Sequence, residues 1–66
     1  MLIQTENSFY FLAGGYLGKV SPEGEPMELP MKLHKLLTLK VGDQMIVSLK
    51  NGKIFKTSKV QQVTFP

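Results

Sequence analysis

The chain contains no cysteine, no tryptophan and no arginine, and it has a single histidine. The lack of cysteine excludes disulfides and is compatible with the reducing cytosol, so we expect a cytoplasmic location. One histidine and five scattered carboxylates do not form a motif with metal-ligand spacing. We therefore expect a protein that folds without disulfides, metal or any other cofactor.

Long apolar runs and the motifs of enzyme chemistry are also missing. The first six residues have neither the basic segment nor the apolar core of a signal peptide, and no stretch approaches the length needed to cross a bilayer. Paired carboxylates, a reactive cysteine and a nucleophile-base pair are absent as well. We expect a protein that is not an enzyme and has no membrane partner.

The length of 66 residues predicts a single domain over residues 1–66, near the lower limit for a chain that folds alone. Chains of this size usually gain support from disulfides, a metal or self-association. Because the first two are excluded, the apolar share of 42% favours a homo-oligomer. A compact monomer is the alternative.

Charge is divided unevenly along the chain. Residues 1–31 carry a net charge of −3 and residues 32–66 carry +6, and all eight basic residues are lysine. Lysine acts as a point charge and lacks the planar fork of arginine, so binding to phosphates would be weakly selective and sensitive to salt. The division indicates an anionic partner such as nucleic acid or a nucleotide; solubility, or head-to-tail contact between subunits, explains it equally well.

Short β-prone runs separated by turn residues predict an all-β fold. Strands are expected at residues 2–5, 9–12, 16–20 and 59–65, and a loop at residues 21–26. Leu33, Leu36 and Leu37 have the i, i+3, i+4 spacing of a helix, so a short helical turn is predicted near residues 30–37, with extended structure as the alternative. The fold class is a small SH3-like or OB-like antiparallel barrel with five or six short strands.

Asn51-Gly52, between two further β-prone runs, is the strongest hairpin signal in the chain. A two-residue type I′ turn at this dipeptide would pair Lys50 with Lys53 and Ser48 with Phe55. Neighbouring pairs point to opposite faces, so one face of the hairpin becomes core and the other becomes a basic surface. The core face carries Met45, Val47, Leu49 and Ile54, with Lys56 near its edge. The basic face carries Ile46, Ser48, Lys50, Lys53, Phe55, Thr57 and Lys59.

The basic face of this hairpin is the main candidate site. Lys50, Lys53 and Lys59 would hold an anionic ligand, and Phe55 would offer a ring on which a base stacks. Lys19, Lys32 and Lys35 supply supporting charge. In the competing interpretation, the lysines protect an edge hairpin from pairing with other strands, and Phe55 packs under the next strand.

The first half of the chain contributes glycines and aromatic residues. The glycine-rich segment 14–19 is either a bend in a barrel strand or an anion-binding nest of backbone amides beside Lys19. Alternation predicts Phe9 and Phe11 in the core, with Tyr10 on the opposite face. We expect Tyr10 and Tyr16 to be half-exposed and to line a pocket or a subunit contact.

Three short patterns carry a resemblance to a known group of proteins. They are Thr5-Glu6-Asn7-Ser8-x-Tyr10, Leu39-x-Val41-Gly42-Asp43 and Thr57-Ser58-x-Val60-x-x-Val63. Together they resemble very small phage-encoded β-rich proteins of unassigned function. The resemblance implies a β-rich fold and a phage or mobile-element origin. Such proteins include inhibitors of host enzymes and oligomers that sequester nucleotide signals.

Two functions follow from these observations. The first is a non-enzymatic binding module, expected to be a homo-oligomer, that engages nucleic acid or a nucleotide through the lysine-rich hairpin face. The alternative is a phage-type inhibitor or assembly component that binds a host protein through apolar and tyrosine surface.

Overall fold

A computed structural model, which describes residues 1–65, shows a closed antiparallel barrel. Each strand pairs with the next in the chain, and the last pairs with the first, so the sheet closes on itself. The all-β prediction of a small barrel is confirmed. Within residues 1–65 the strands are β1 (Leu2–Thr5), β2 (Phe9–Ala13), β3 (Tyr16–Val20), β4 (Met31–Thr38), β5 (Gln44–Leu49) and β6 (Ile54–Thr64).

Alternate residues of the strands point into the barrel and form one core. Burying a large aliphatic side chain stabilises the fold by roughly 1.5–3 kcal/mol, so a few such residues matter in a chain of this length. The largest fully buried side chains are Ile3, Leu17, Met45, Val47 and Val60.

Residues 1–65 contain no helix of the length and apolarity required to span a membrane.

The helical turn predicted near residues 30–37 is wrong, because this segment is strand β4. Leu33 pairs with Leu49 and Leu36 pairs with Val47. The register of β4 shifts between Leu33 and Lys35, and again between Leu36 and Thr38. Each bulge adds one residue to the strand, so the core-facing leucines are three residues apart. That spacing imitates the i, i+3 repeat of a helix.

The turn between β5 and β6 is one residue longer than predicted. Gly52 has a φ of 86°, whereas no non-glycine residue in the described part of the chain, Asn51 included, has a positive φ. The Gly52 N–H donates to the Leu49 carbonyl (2.9 Å), and the Leu49 N–H donates to the Lys53 carbonyl (2.8 Å). This is a three-residue loop, a type I turn followed by a glycine bulge, and the predicted type I′ turn is wrong.

The longer loop exchanges the two faces of β6 from Ile54 to Thr57, up to the register shift between Gln44 and Ile46. Ser48 now pairs with Ile54 and Val47 pairs with Phe55. A one-residue shift moves every side chain to the other side of the sheet, so Phe55 faces the barrel and Ile54 is 53% exposed. The predicted assignment of Ile54 to the core and of Phe55 and Thr57 to the outer basic face is therefore wrong, since Thr57 is also buried.

The predicted faces of β2 are also reversed. Tyr10 is buried, while Phe11 is 47% exposed. Tyr10 lies opposite Ile3 in the ladder between β1 and β2, and directly opposite residues share a face. Since Ile3 is fully buried, Tyr10 points inward with it and Phe9 and Phe11 point outward.

Candidate anion-binding site

A cavity of about 480 Å³ lies between the start of β4 and the tip of the β5–β6 hairpin. Its walls combine positive charge with apolar surface. Among the described residues that line it, none is acidic. We call this cavity the lysine pocket; it is lined by Met31, Lys32, Leu49, Lys50, Asn51, Lys53, Ile54 and Phe55.

Backbone hydrogen bonds bring the three lysines of the pocket together. The Lys50 N–H donates to the Lys32 carbonyl (3.0 Å), which joins the hairpin tip to the start of β4. The Lys53 N–H donates to Oδ1 of Asn51 (2.9 Å), and the Lys53 carbonyl accepts from the Leu49 N–H (2.8 Å). Hydrogen bonds therefore hold the backbone of the three lysines in place, while the lysine side chains themselves are long and adaptable.

Phe55 forms part of the apolar wall and is itself held in place. Its ring meets the ring of buried Tyr10 edge-on, with centroids 5.9 Å apart and planes inclined at 72°. This is a favoured arrangement for two aromatic rings. The phenyl ring is thus anchored from the barrel interior while it lines the pocket.

A smaller hollow of about 180 Å³ adjoins the lysine pocket. The two share Met31 and Phe55. The hollow adds Lys19 and one carboxylate, Glu28, to the neighbourhood. Lys19 lies opposite Tyr10 in the ladder between β2 and β3, which explains its position beside the Tyr10 and Phe55 rings.

The structure thus brings together some of the sequence-predicted site residues. Lys50, Lys53 and Phe55 line one cavity, and Lys19 lines the adjoining hollow. Phe55 reaches this cavity from the core side of the sheet, and not from the outer basic face on which the sequence placed it.

Lys59 and Tyr16 lie elsewhere. Lys59 is opposite Gln44, roughly 20 Å along β6 from Lys53 at about 3.3 Å per residue. Its backbone N–H donates to Oε1 of Glu6 (3.2 Å). Tyr16 neighbours Lys32 in the ladder, but its side chain lines a separate cavity on the outside of the barrel.

Sequence reasoning gave Lys32 only a supporting role and did not include Met31 or Leu49 in the site. The pairing of β4 with β5 is what places these residues beside the hairpin tip. Assignment of residues 31–38 to a strand would have predicted this position, because a strand that precedes a hairpin commonly pairs with that hairpin. Lys35, the other supporting residue, lies opposite Ser48 and does not line the pocket.

The lysine pocket offers ammonium groups to an anion and an apolar wall to a ring or a sugar. Residues 1–65 contain no group of three or more His, Cys, Asp or Glu side chains that could hold a metal ion. Compared with known proteins, the chain matches no protein-family model, no curated protein and no solved structure. Its function is therefore best argued from the geometry of this pocket.

Proposed function

We propose that the chain is a non-enzymatic binding module that holds a nucleotide-sized anionic ligand in the lysine pocket. The observation that carries the proposal is the convergence of Lys32, Lys50 and Lys53 on one cavity without an acidic lining residue among those described. Like charges held close together are unfavourable in the empty protein. A bound phosphate group would offset that repulsion, because it attracts all three ammonium groups.

The dimensions of the cavity favour a nucleotide over a long nucleic-acid strand. Its volume of about 480 Å³ falls within the usual range of small-molecule sites. A continuous single strand is normally held by a positive groove that follows its backbone. Lys59, roughly 20 Å along β6 from Lys53, does not extend the pocket into such a groove.

Each part of the pocket has a role in this proposal. Lys32, Lys50 and Lys53 contact phosphate oxygens, with three rotatable N–H donors on each ammonium group. Phe55 and Met31 pack against the base or the sugar. Lys19 offers one further ammonium group in the adjoining hollow, beside the opposing charge of Glu28.

Calorimetric titration with the four ribonucleoside diphosphates at low salt tests the proposal. We expect Lys50→Gln/Lys53→Gln to weaken binding at least tenfold, because charge-assisted hydrogen bonds are lost at the site itself. The matched control is Lys56→Gln/Lys59→Gln, which changes the net charge equally but alters lysines outside the pocket. We expect the control to weaken binding less than about threefold, since distant exposed charges are screened by salt.

Two results would contradict the proposal. One is the absence of measurable binding for every diphosphate. The other is equal weakening in the two double variants, because binding would then depend on overall charge and not on the pocket. A parallel titration with single-stranded oligothymidylate checks the size argument: binding stronger than that of the diphosphates would favour a nucleic-acid strand.

A further inference from the structure

The hollow beside the lysine pocket is lined by a buried tyrosine whose hydroxyl has no partner among residues 1–65. Tyr10 is only 7% exposed, yet none of the hydrogen bonds of these residues involves its hydroxyl. Buried tyrosine hydroxyls usually find a partner. No fully buried side-chain nitrogen or oxygen in this part of the chain lacks a partner, so the Tyr10 hydroxyl reaches accessible space. The hollow that Tyr10 lines provides that space.

Two opposite charges line the same hollow. Lys19 lies opposite Tyr10 in the ladder between β2 and β3, so both side chains are on one face of the sheet. Glu28 comes from the loop that precedes β4. Within the described chain, no hydrogen bond joins the Lys19 and Glu28 side chains. An ammonium donor, a carboxylate acceptor and a hydroxyl therefore remain available to a ligand.

The hollow is continuous with the lysine pocket. Met31 and Phe55 line both, and the Phe55 ring is fixed by its edge-on contact with Tyr10. A nucleotide whose phosphates contact the three lysines of the pocket can pack its base against Phe55. The edge of that base then enters the hollow, whose volume of about 180 Å³ is less than half the 480 Å³ of the pocket.

We propose that this hollow selects guanine as the base of the bound nucleotide, an inference that rests on the proposed function. The Watson–Crick edge of guanine carries two adjacent donors, N1–H and the N2 amino group, followed by the acceptor O6. A carboxylate accepts two donors at once, so Glu28 binds N1–H and N2–H. Lys19 and the Tyr10 hydroxyl donate to O6.

The other three bases match this set of groups less well. Adenine and cytosine each place one amino donor beside a ring nitrogen that is an acceptor, so the second oxygen of Glu28 would face a lone pair. Uracil has a single N–H between two carbonyl groups, which gives the same conflict. Unpaired or repelling groups of this kind are how a site rejects a wrong ligand.

Calorimetric titration with guanosine diphosphate and inosine diphosphate tests the inference, because the two ligands differ only in the 2-amino group. We expect the wild type to bind guanosine diphosphate at least about threefold more tightly than inosine diphosphate and at least about tenfold more tightly than adenosine diphosphate. In Glu28→Gln the ratio of guanosine to inosine affinity should fall close to one. Removal of the Glu28 charge strengthens the binding of both ligands alike, and the ratio cancels that effect.

The matched control is Glu25→Gln, which makes the same change of charge in the same loop. Glu25 is exposed and lines neither the hollow nor the lysine pocket, so the wild-type ratio should be kept. Tyr10→Phe removes only the hydroxyl and keeps the ring that contacts Phe55. It should lower the ratio of guanosine to adenosine affinity at least about threefold, because O6 loses a donor.

Equal wild-type affinity for guanosine and inosine diphosphate would overturn the guanine assignment. If that binding still required the lysines of the pocket, the proposed function would stand. Absence of binding for every diphosphate would overturn both. A ratio that Glu28→Gln leaves unchanged would also overturn the assignment. So would weaker binding of 2′-deoxyguanosine diphosphate combined with equal guanosine and inosine affinity, since Glu28 would then contact the ribose.

Discussion

Thr57 shows how a single hydroxyl supports the closed barrel. It is buried, and its Oγ1 accepts a hydrogen bond from the Met45 N–H (3.1 Å) and donates one to the Ser58 carbonyl (2.7 Å). These bonds lie where the register of β5 and β6 shifts between Gln44 and Ile46. The side chain therefore satisfies a backbone group that the regular ladder leaves unpaired at this bulge.

Replacing Thr57 with valine keeps the shape of the side chain and removes the hydroxyl. We expect Thr57→Val to lower the free energy of unfolding by about 1–3 kcal/mol, because the Met45 N–H loses its partner. Urea denaturation measures the change. Thr64→Val, at an exposed position of β6, is the control and should have little effect. Equal stability of the two variants would show that the Thr57 hydrogen bonds contribute nothing.

Gly52 is the residue of the hairpin turn whose backbone conformation favours glycine. Its φ of 86° lies in the region that L-residues with a side chain rarely adopt. We expect Gly52→Ala to destabilise the protein by about 1–2 kcal/mol in thermal or urea denaturation. Gly18→Ala is the matched control, since its added Cβ would lie 3.7 Å from Pro30 Cβ, an ordinary contact. Equal losses in both variants would argue against strain at the turn.

Among the elements, the β5–β6 hairpin determines which face of β6 meets the core. Leu49 and Lys53 close a loop of three residues, from Lys50 to Gly52. Removal of Lys50 would leave Asn51-Gly52 as a two-residue loop between the same closing residues, which is the length that favours a type I′ turn. The pairing of Val47 with Phe55 would then be kept.

We therefore expect deletion of Lys50 to preserve the fold. Its melting temperature should be lower than that of Lys50→Gln, because the deletion also removes the N–H that donates to the Lys32 carbonyl. Nuclear Overhauser contacts between Val47 and Phe55 would report the preserved pairing. Unfolding of the deletion variant, or contacts that shift by one residue, would show that the loop does not fix the register in this way.

The sequence predicts most strands well and the bulged ones poorly. The bounds of β1 and β3 agree with prediction because their alternation is regular and turn residues flank them. A helical turn was preferred over the alternative of extended structure at β4, because the two bulges of this strand imitate a helical repeat. The faces of β6 were reversed because Asn-Gly suits both a two-residue loop and a three-residue loop, and only the packed core distinguishes them.

The site was predictable to the extent that its residues are neighbours along the hairpin. Lys50, Lys53 and Phe55 meet because they flank one turn. Lys32 joins them through β4–β5 pairing, a long-range feature that no local pattern reports. Lys59 was placed with them on alternation alone, and the length of β6 carries it away from the turn.

For the whole molecule, diphosphate binding should depend strongly on salt. Raising the salt concentration from about 50 mM to about 200 mM should weaken binding several-fold, because the lysines act through charge. Calorimetric titration at both salt concentrations measures the change in the dissociation constant. Equal affinity at the two concentrations would contradict a site that acts through its lysines.

The most direct measurement is a titration of isotope-labelled protein with the four ribonucleoside diphosphates, followed by two-dimensional NMR. If the lysine pocket is the binding site, the largest shift changes will occur at Met31, Lys32, Lys50, Lys53 and Phe55, with smaller changes at Lys19. Changes centred on Lys56 and Lys59, or spread evenly over all lysines, would contradict the account.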